Sequence, residues 1–154
     1  MDIFKRLFGS GKEKGEEEET PQEELQTEEK TEIEGGATMA TAKEMEKLLA
    51  QVVKDNGLEG AVIADLEGLP IASYLPAEMD EDEIAAASAA ILSISDSKLS
   101  DSGKGNVSQV SIEADEGYLV VKPIKDEYVV SVLAPKEAKL GIILSAVRSI
   151  EKKL

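Results

Sequence analysis

Between Thr41 and Asn56, Met45, Leu48, Leu49, Val52 and Val53 recur at the spacing of one helical face. Thr41 with Glu44 forms a capping box for the start of this helix, and Gly57 stands where a left-handed residue would close it. Two short apolar runs follow, Gly60–Asp65 and Leu69–Tyr74, joined through Asp65-Leu66-Glu67-Gly68, which reads as a hairpin turn. Pro76 then breaks the chain. A helical stretch covers Asp80–Ser100, and DSGKGN at Asp101–Asn106 is a loop. Three runs of strand character come next, Val107–Ala114, Tyr118–Pro123 and Tyr128–Ala134, spaced as hairpins by Asp115-Glu116-Gly117 and Lys125-Asp126-Glu127. Within the first of them Val110, Ile112 and Ala114 alternate with polar neighbours, so one side of that strand is wet. Pro135 can open a last helix, Lys136–Leu154, whose stripe is Leu140, Ile143, Leu144, Val147, Ile150 and Leu154. The order α-β-β-α-β-β-β-α predicts an α+β fold. Its five-stranded antiparallel sheet is sandwiched by helices, the first and last on one face and the Ala/Ser helix on the other.

The Ala/Ser helix departs from the usual two-faced pattern. Asp80, Glu81, Asp82 and Glu83 place four carboxylates at its start, where the helix dipole favours negative charge. At about 100° per residue, Ile84, Ser88, Ile91, Leu92, Ser95 and Leu99 share one face. Ala86, Ala89, Ala90, Ser93, Ser97 and Ser100 share the opposite one, with Ile94 on the flank. A surface helix ordinarily carries Lys and Glu there. Small side chains would let a partner's backbone approach closely, but an Ala-rich helix also follows from helix propensity alone.

Composition divides the chain. Of its 32 acidic and 17 basic residues, 12 and 5 fall before Thr41, and the net charge is −15. That balance argues against nucleic acid as a partner, since phosphate binding draws on cations. There is no cysteine, which fits the cytosol, and no histidine, which removes the commonest metal ligand and general base. No apolar run is long enough to span a bilayer. Residues 39–154 form the expected domain.

Ahead of it, residues 1–9 read MDIFKRLFG. Ile3, Phe4, Leu7 and Phe8 make one apolar face with Lys5 and Arg6 beside it, the pattern of a segment lying in a membrane interface. A peptide for a partner's groove and an unengaged terminus are the alternatives. The stretch is too short and too charged for a signal peptide. Residues 10–38 hold a run of ten glutamates between Glu16 and Glu34, with only Leu25 and Ile33 as sizeable apolar residues inside it. Such a composition predicts a disordered, self-repelling tether.

Catalytic chemistry finds no support. Gly9-Ser10-Gly11-Lys12 and Gly103-Lys104-Gly105 lack the full phosphate-loop spacing, and no serine has a candidate base. Neither a metal nor an organic cofactor has a recognisable ligand set. The domain reads as a binding module.

The turn Val62-Ile63-Ala64-Asp65-Leu66-Glu67-Gly68-Leu69-Pro70-Ile71, the Ala/Ser helix and the three-strand meander resemble a Roadblock domain. This profilin-like family includes dynein light chains and bacterial and archaeal regulators of Ras-like GTPases. The resemblance covers Thr41–Leu154. It implies a homodimer or heterodimer with another Roadblock domain, in which third strands pair edge to edge and second helices lie together. It also implies a small Ras-like GTPase docked on the helix-bearing side. Mapped here, the dimer and partner interface would use Ala86, Ala89, Ala90, Ser93, Ile94, Ser97, Val110 and Ile112. The expected protein is a non-catalytic, cytoplasmic GTPase adaptor, held at the inner face of an anionic membrane through Ile3, Phe4, Lys5, Arg6, Leu7 and Phe8. A structural subunit of a cytoskeletal or motor complex is the competing expectation. A small-molecule sensor is a third, for which no polar constellation marks a pocket. Arg148, the only arginine after Arg6, is expected on the side of the sheet away from the docking helix.

Overall fold

The computed structural model describes residues 28–154, with side chains from Thr41 onward. The chain divides into two units between Gly36 and Ala37, and the second, Ala37–Leu154, carries the sheet. Residues 1–9, expected to be amphipathic, lie outside the described residues, as does the first part of the expected tether.

Helix α1 runs Glu28–Asp55. Thr41 and Glu44 therefore lie inside it and do not cap its start, a correction to the expected capping box. Glu, Lys, Met and Ala upstream of Thr41 are strong helix formers, which a reading based on polarity alone undervalues. The far end follows the pattern: Leu58 N–H donates to Val53 O at 3.0 Å, with Gly57 at φ +65° between them, a Schellman closure.

Strands β1 (Gly60–Asp65) and β2 (Pro70–Tyr74) form the first hairpin, followed by α2 (Glu81–Asp101). Strands β3 (Val110–Ala114), β4 (Gly117–Ile124) and β5 (Tyr128–Pro135) form the meander, and α3 (Leu140–Glu151) ends the fold. The sheet order is β2-β1-β5-β4-β3, with every pairing antiparallel. Helix α3 starts four residues later than the sequence suggests. Pro135 ends β5, Ala138 N–H turns back to Pro135 O at 3.0 Å, and Lys139 is still extended at φ −82°, ψ 133°. Strand β3 likewise begins at Val110, because Val107 N–H is taken by Asp96 Oδ1 of α2 at 2.7 Å.

The alternation along β1, β4 and β5 sorts the core into two layers. Ala61, Ile63, Val120, Ile124, Val130 and Val132 meet Leu49, Val53, Ile143, Val147 and Ile150 of α1 and α3. On the other face Val62 and Ala64 pack on Ala85 of α2, while Val121 and Val129 pack on Leu92 and Val107. The first and last helices thus share one side, and α2 is the one described helix on the other.

Candidate docking surface on the second helix

Helix α2 is fixed at both ends by its own sequence. Asp80 caps it, accepting from Asp82 N–H at 2.8 Å and Glu83 N–H at 3.4 Å. At the other end Lys104 N–H donates to Leu99 O at 2.8 Å and Gly103 N–H to Ser100 O at 3.0 Å. The Gly103 and Lys104 amides thus close a helix, so this segment is a terminator and not a phosphate cradle.

Its position over the sheet is set by the first hairpin. Asp65 Oδ1 accepts from Glu67 N–H at 2.9 Å and Leu69 N–H at 3.0 Å, and Gly68 takes φ +89°. A β-carbon on Gly68 would stand 3.0 Å from Ala86 Cα and 3.2 Å from Ala89 Cβ. The small residues of α2 therefore answer first to this hairpin.

That contact revises the faces read from the sequence. The side of α2 turned to the sheet is Ala85, Ser88, Ala89 and Leu92, all buried. Ile84 and Ile91 are half-buried at its border, and Leu99, in the last turn of the helix, is 41% exposed. Of the expected interface residues, Ala86, Ala90, Ser93, Ile94 and Ser97 lie together on the outward side, whereas Ala89 is withdrawn beneath the hairpin. Ile94 is 59% exposed, an isoleucine standing among alanines and serines. On edge strand β3, Val110 is half-buried against the Leu92 cluster, and Ile112 is 38% exposed opposite Leu119 of β4. Among the described residues β3 pairs only with β4, so no described strand covers its outer edge.

A feature not read from the sequence is a groove of about 280 Å³ beside α2, with Leu66, Leu92, Ser93, Asp96 and Val107 on its walls. Leu66 and Leu69, on the hairpin tip, are 51% and 61% exposed. The available signal was a leucine inside an otherwise polar turn, Asp65-Leu66-Glu67-Gly68. Two buried hydroxyls, Ser88 on α2 and Ser131 on β5, have no hydrogen-bond partner among the described residues. Among the described residues no group of His, Cys, Asp or Glu is arranged to hold a metal ion. Arg148 is exposed on α3, across the sheet from α2.

Residues 44–134 match the family model of the Roadblock/LC7 domain. The chain belongs to that family. An uncharacterised protein of Methanocaldococcus jannaschii is 27% identical over 109 residues, covering 70% of this chain and 95% of its own. Myxococcus xanthus MglB superimposes with a TM-score of 0.67 at 14% identity, over 72% of this chain and 84% of that one. A Roadblock/LC7 domain from Streptomyces avermitilis gives 0.66 at 23% identity, over 70% and 92%. In this chain Ile94 of α2 and Ile112 of β3 are both exposed large apolar side chains. Among the described residues no helix is long and apolar enough to cross a membrane.

Proposed function

We propose that this protein is a non-catalytic dimeric adaptor that binds and regulates a small Ras-like GTPase. The observation that carries the reading is Ile94, exposed amid Ala86, Ala90, Ser93 and Ser97 on the outward side of α2. A face of small side chains around one apolar knob admits close backbone approach and gives a burial site for that knob. Edge pairing of β3 would join two sheets and bring two α2 helices together, with Ile112 at the seam. The Leu66 groove would then remain at the flank of the dimer for the GTPase, whose own switch residues the adaptor would position. With Arg148 on the opposite side of the sheet, regulation would not rest on an arginine supplied from this domain to a partner docked on α2.

Residues 1–9 would hold the dimer at an anionic membrane through Ile3, Phe4, Leu7 and Phe8, with residues 10–38 as the spacer. Two copies of so short an anchor bind by avidity where one is marginal.

The test is affinity capture with the full chain as bait, from source lysate loaded with a non-hydrolysable GTP analogue or with GDP. The reading expects a guanine-nucleotide-binding protein retained in one nucleotide state, and lost with Ile94→Glu. Capture of cytoskeletal or motor subunits, equal in both states, would instead support a structural role for the same surface.

A further inference from the structure

The groove beside α2 joins apolar walls to unpaired negative charge. Leu66, Leu92, Val107, Pro123 and Val129 line it, and its polar groups are Ser93, Asn106, Asp96 and Asp126. No Lys or Arg is among the described residues that line it. The two carboxylates come from different elements, Asp96 from α2 and Asp126 from the turn between β4 and β5. Asp96 spends Oδ1 on the Val107 amide at 2.7 Å, and no described cation pairs with it. The Asp126 carboxylate makes neither a hydrogen bond nor an ion pair among the described residues. Its neighbour Lys125 is engaged elsewhere. That ammonium donates to Leu154 O, and Leu154 packs on the α1 and α3 side of the sheet. Both turn residues hold left-handed backbone, Lys125 at φ +57° and Asp126 at φ +52°.

We propose that this groove receives an arginine side chain of a protein partner, carried between apolar residues. The chemistry of its walls selects that occupant. A guanidinium is more weakly hydrated than an ammonium, so it leaves water for a half-apolar site at lower cost. Its planar fork can serve a carboxylate with two parallel bonds, while its aliphatic stem lies on Leu66 and Leu92. The volume, about 280 Å³, lies below the roughly 300–1,000 Å³ of small-molecule pockets and suits one or two side chains. Leu66, 51% exposed, extends the apolar contact to the residues flanking the arginine. In a chain of net charge −15 an acidic surface alone would not define a site; unpaired carboxylates beside apolar walls do. Ser93 lines the groove and also belongs to the outward side of α2, so the groove continues the proposed docking face. The inference names the contact that a partner GTPase would bring to this flank, and rests on the proposed function only for that partner's identity.

Amide resonances of the isotopically labelled full chain read the contact with two blocked tripeptides, acetyl-Leu-Arg-Leu-amide and acetyl-Leu-Gln-Leu-amide. The arginine probe is expected to shift Leu66, Asn106 and Val107 and to leave Ile142 of α3 unmoved. It should bind about fivefold to tenfold more tightly than the glutamine probe, a gap that narrows at high salt. Asp126→Asn should remove most of that preference without disturbing the turn, since asparagine tolerates positive φ. Leu66→Ser, at an exposed position, should weaken both probes. Equal binding of the two probes, or no shift at millimolar concentration, would overturn the arginine contact. Shifts of the same amides on deleting residues 1–9, with no probe present, would assign the groove to the chain's own basic segment and overturn the partner contact. A guanine-nucleotide-binding protein captured equally by wild type and by Asp126→Asn with Leu66→Ser would overturn the contact while the GTPase reading stands. Arginine-selective binding without nucleotide-dependent capture would keep the contact and remove the GTPase.

Discussion

Gly68 lies so close over Ala86 that a β-carbon on the glycine would stand 3.0 Å from the Ala86 α-carbon. This contact couples the turn of the first hairpin to the helix carrying the proposed docking face. Gly68 also sits at φ +89°, so a side chain there meets two separate penalties. Gly57 has a similar φ of +65° but open space around its missing β-carbon. Gly57→Ala should therefore cost only the backbone strain, about 1 kcal/mol. Gly68→Ala should cost about 2–4 kcal/mol once overpacking is added. Urea midpoints of the two variants check the difference, and equal losses would mean that α2 is not seated on the hairpin.

Asp96 holds the loop after α2 by accepting the Val107 amide at 2.7 Å. Replacing it removes a charge-assisted hydrogen bond and leaves the amide of a buried residue without its partner. Asp96→Ala should destabilise the fold by about 1.5–3 kcal/mol, and Asp96→Asn by less. The effect should appear locally as faster amide hydrogen exchange at Val107.

Ser88 supplies a prediction of opposite sign. Its hydroxyl is buried without a partner, in the middle of a helix. Ser88→Ala removes that unsatisfied group and raises helix propensity, so it should stabilise by about 0.5–1 kcal/mol. A loss of stability in thermal denaturation would show that the hydroxyl has a partner in solution.

Much of this architecture was legible in the residues, and the reasons differ by element. Strand β1 and the Asp65–Gly68 turn were readable because apolar runs ending in Asp-x-x-Gly have few backbone solutions. The register of α2 was harder. Alanine carries no direction of its own, so Ala89 could be read as outward until Gly68 was seen above it. The start of α1 is hard to place from sequence because the glutamate-rich stretch buries little yet its residues favour helix. Helix α3 begins late because Pro135 pairs in β5, a tertiary choice that a proline does not announce. The Leu66 groove needs four separated segments to meet, which no local pattern encodes.

In the proposed dimer the outward side of α2 and the edge of β3 meet another copy of such a domain. Sedimentation velocity of the full chain at micromolar concentration tests it most directly. The wild type should sediment as a species of twice the 16.5 kDa chain mass. A monomer is expected for Ala90→Arg and for Ser93→Arg, whose circular dichroism should be unchanged because both positions are exposed. A monomeric wild type, or a dimer that survives both arginines, would contradict this interface.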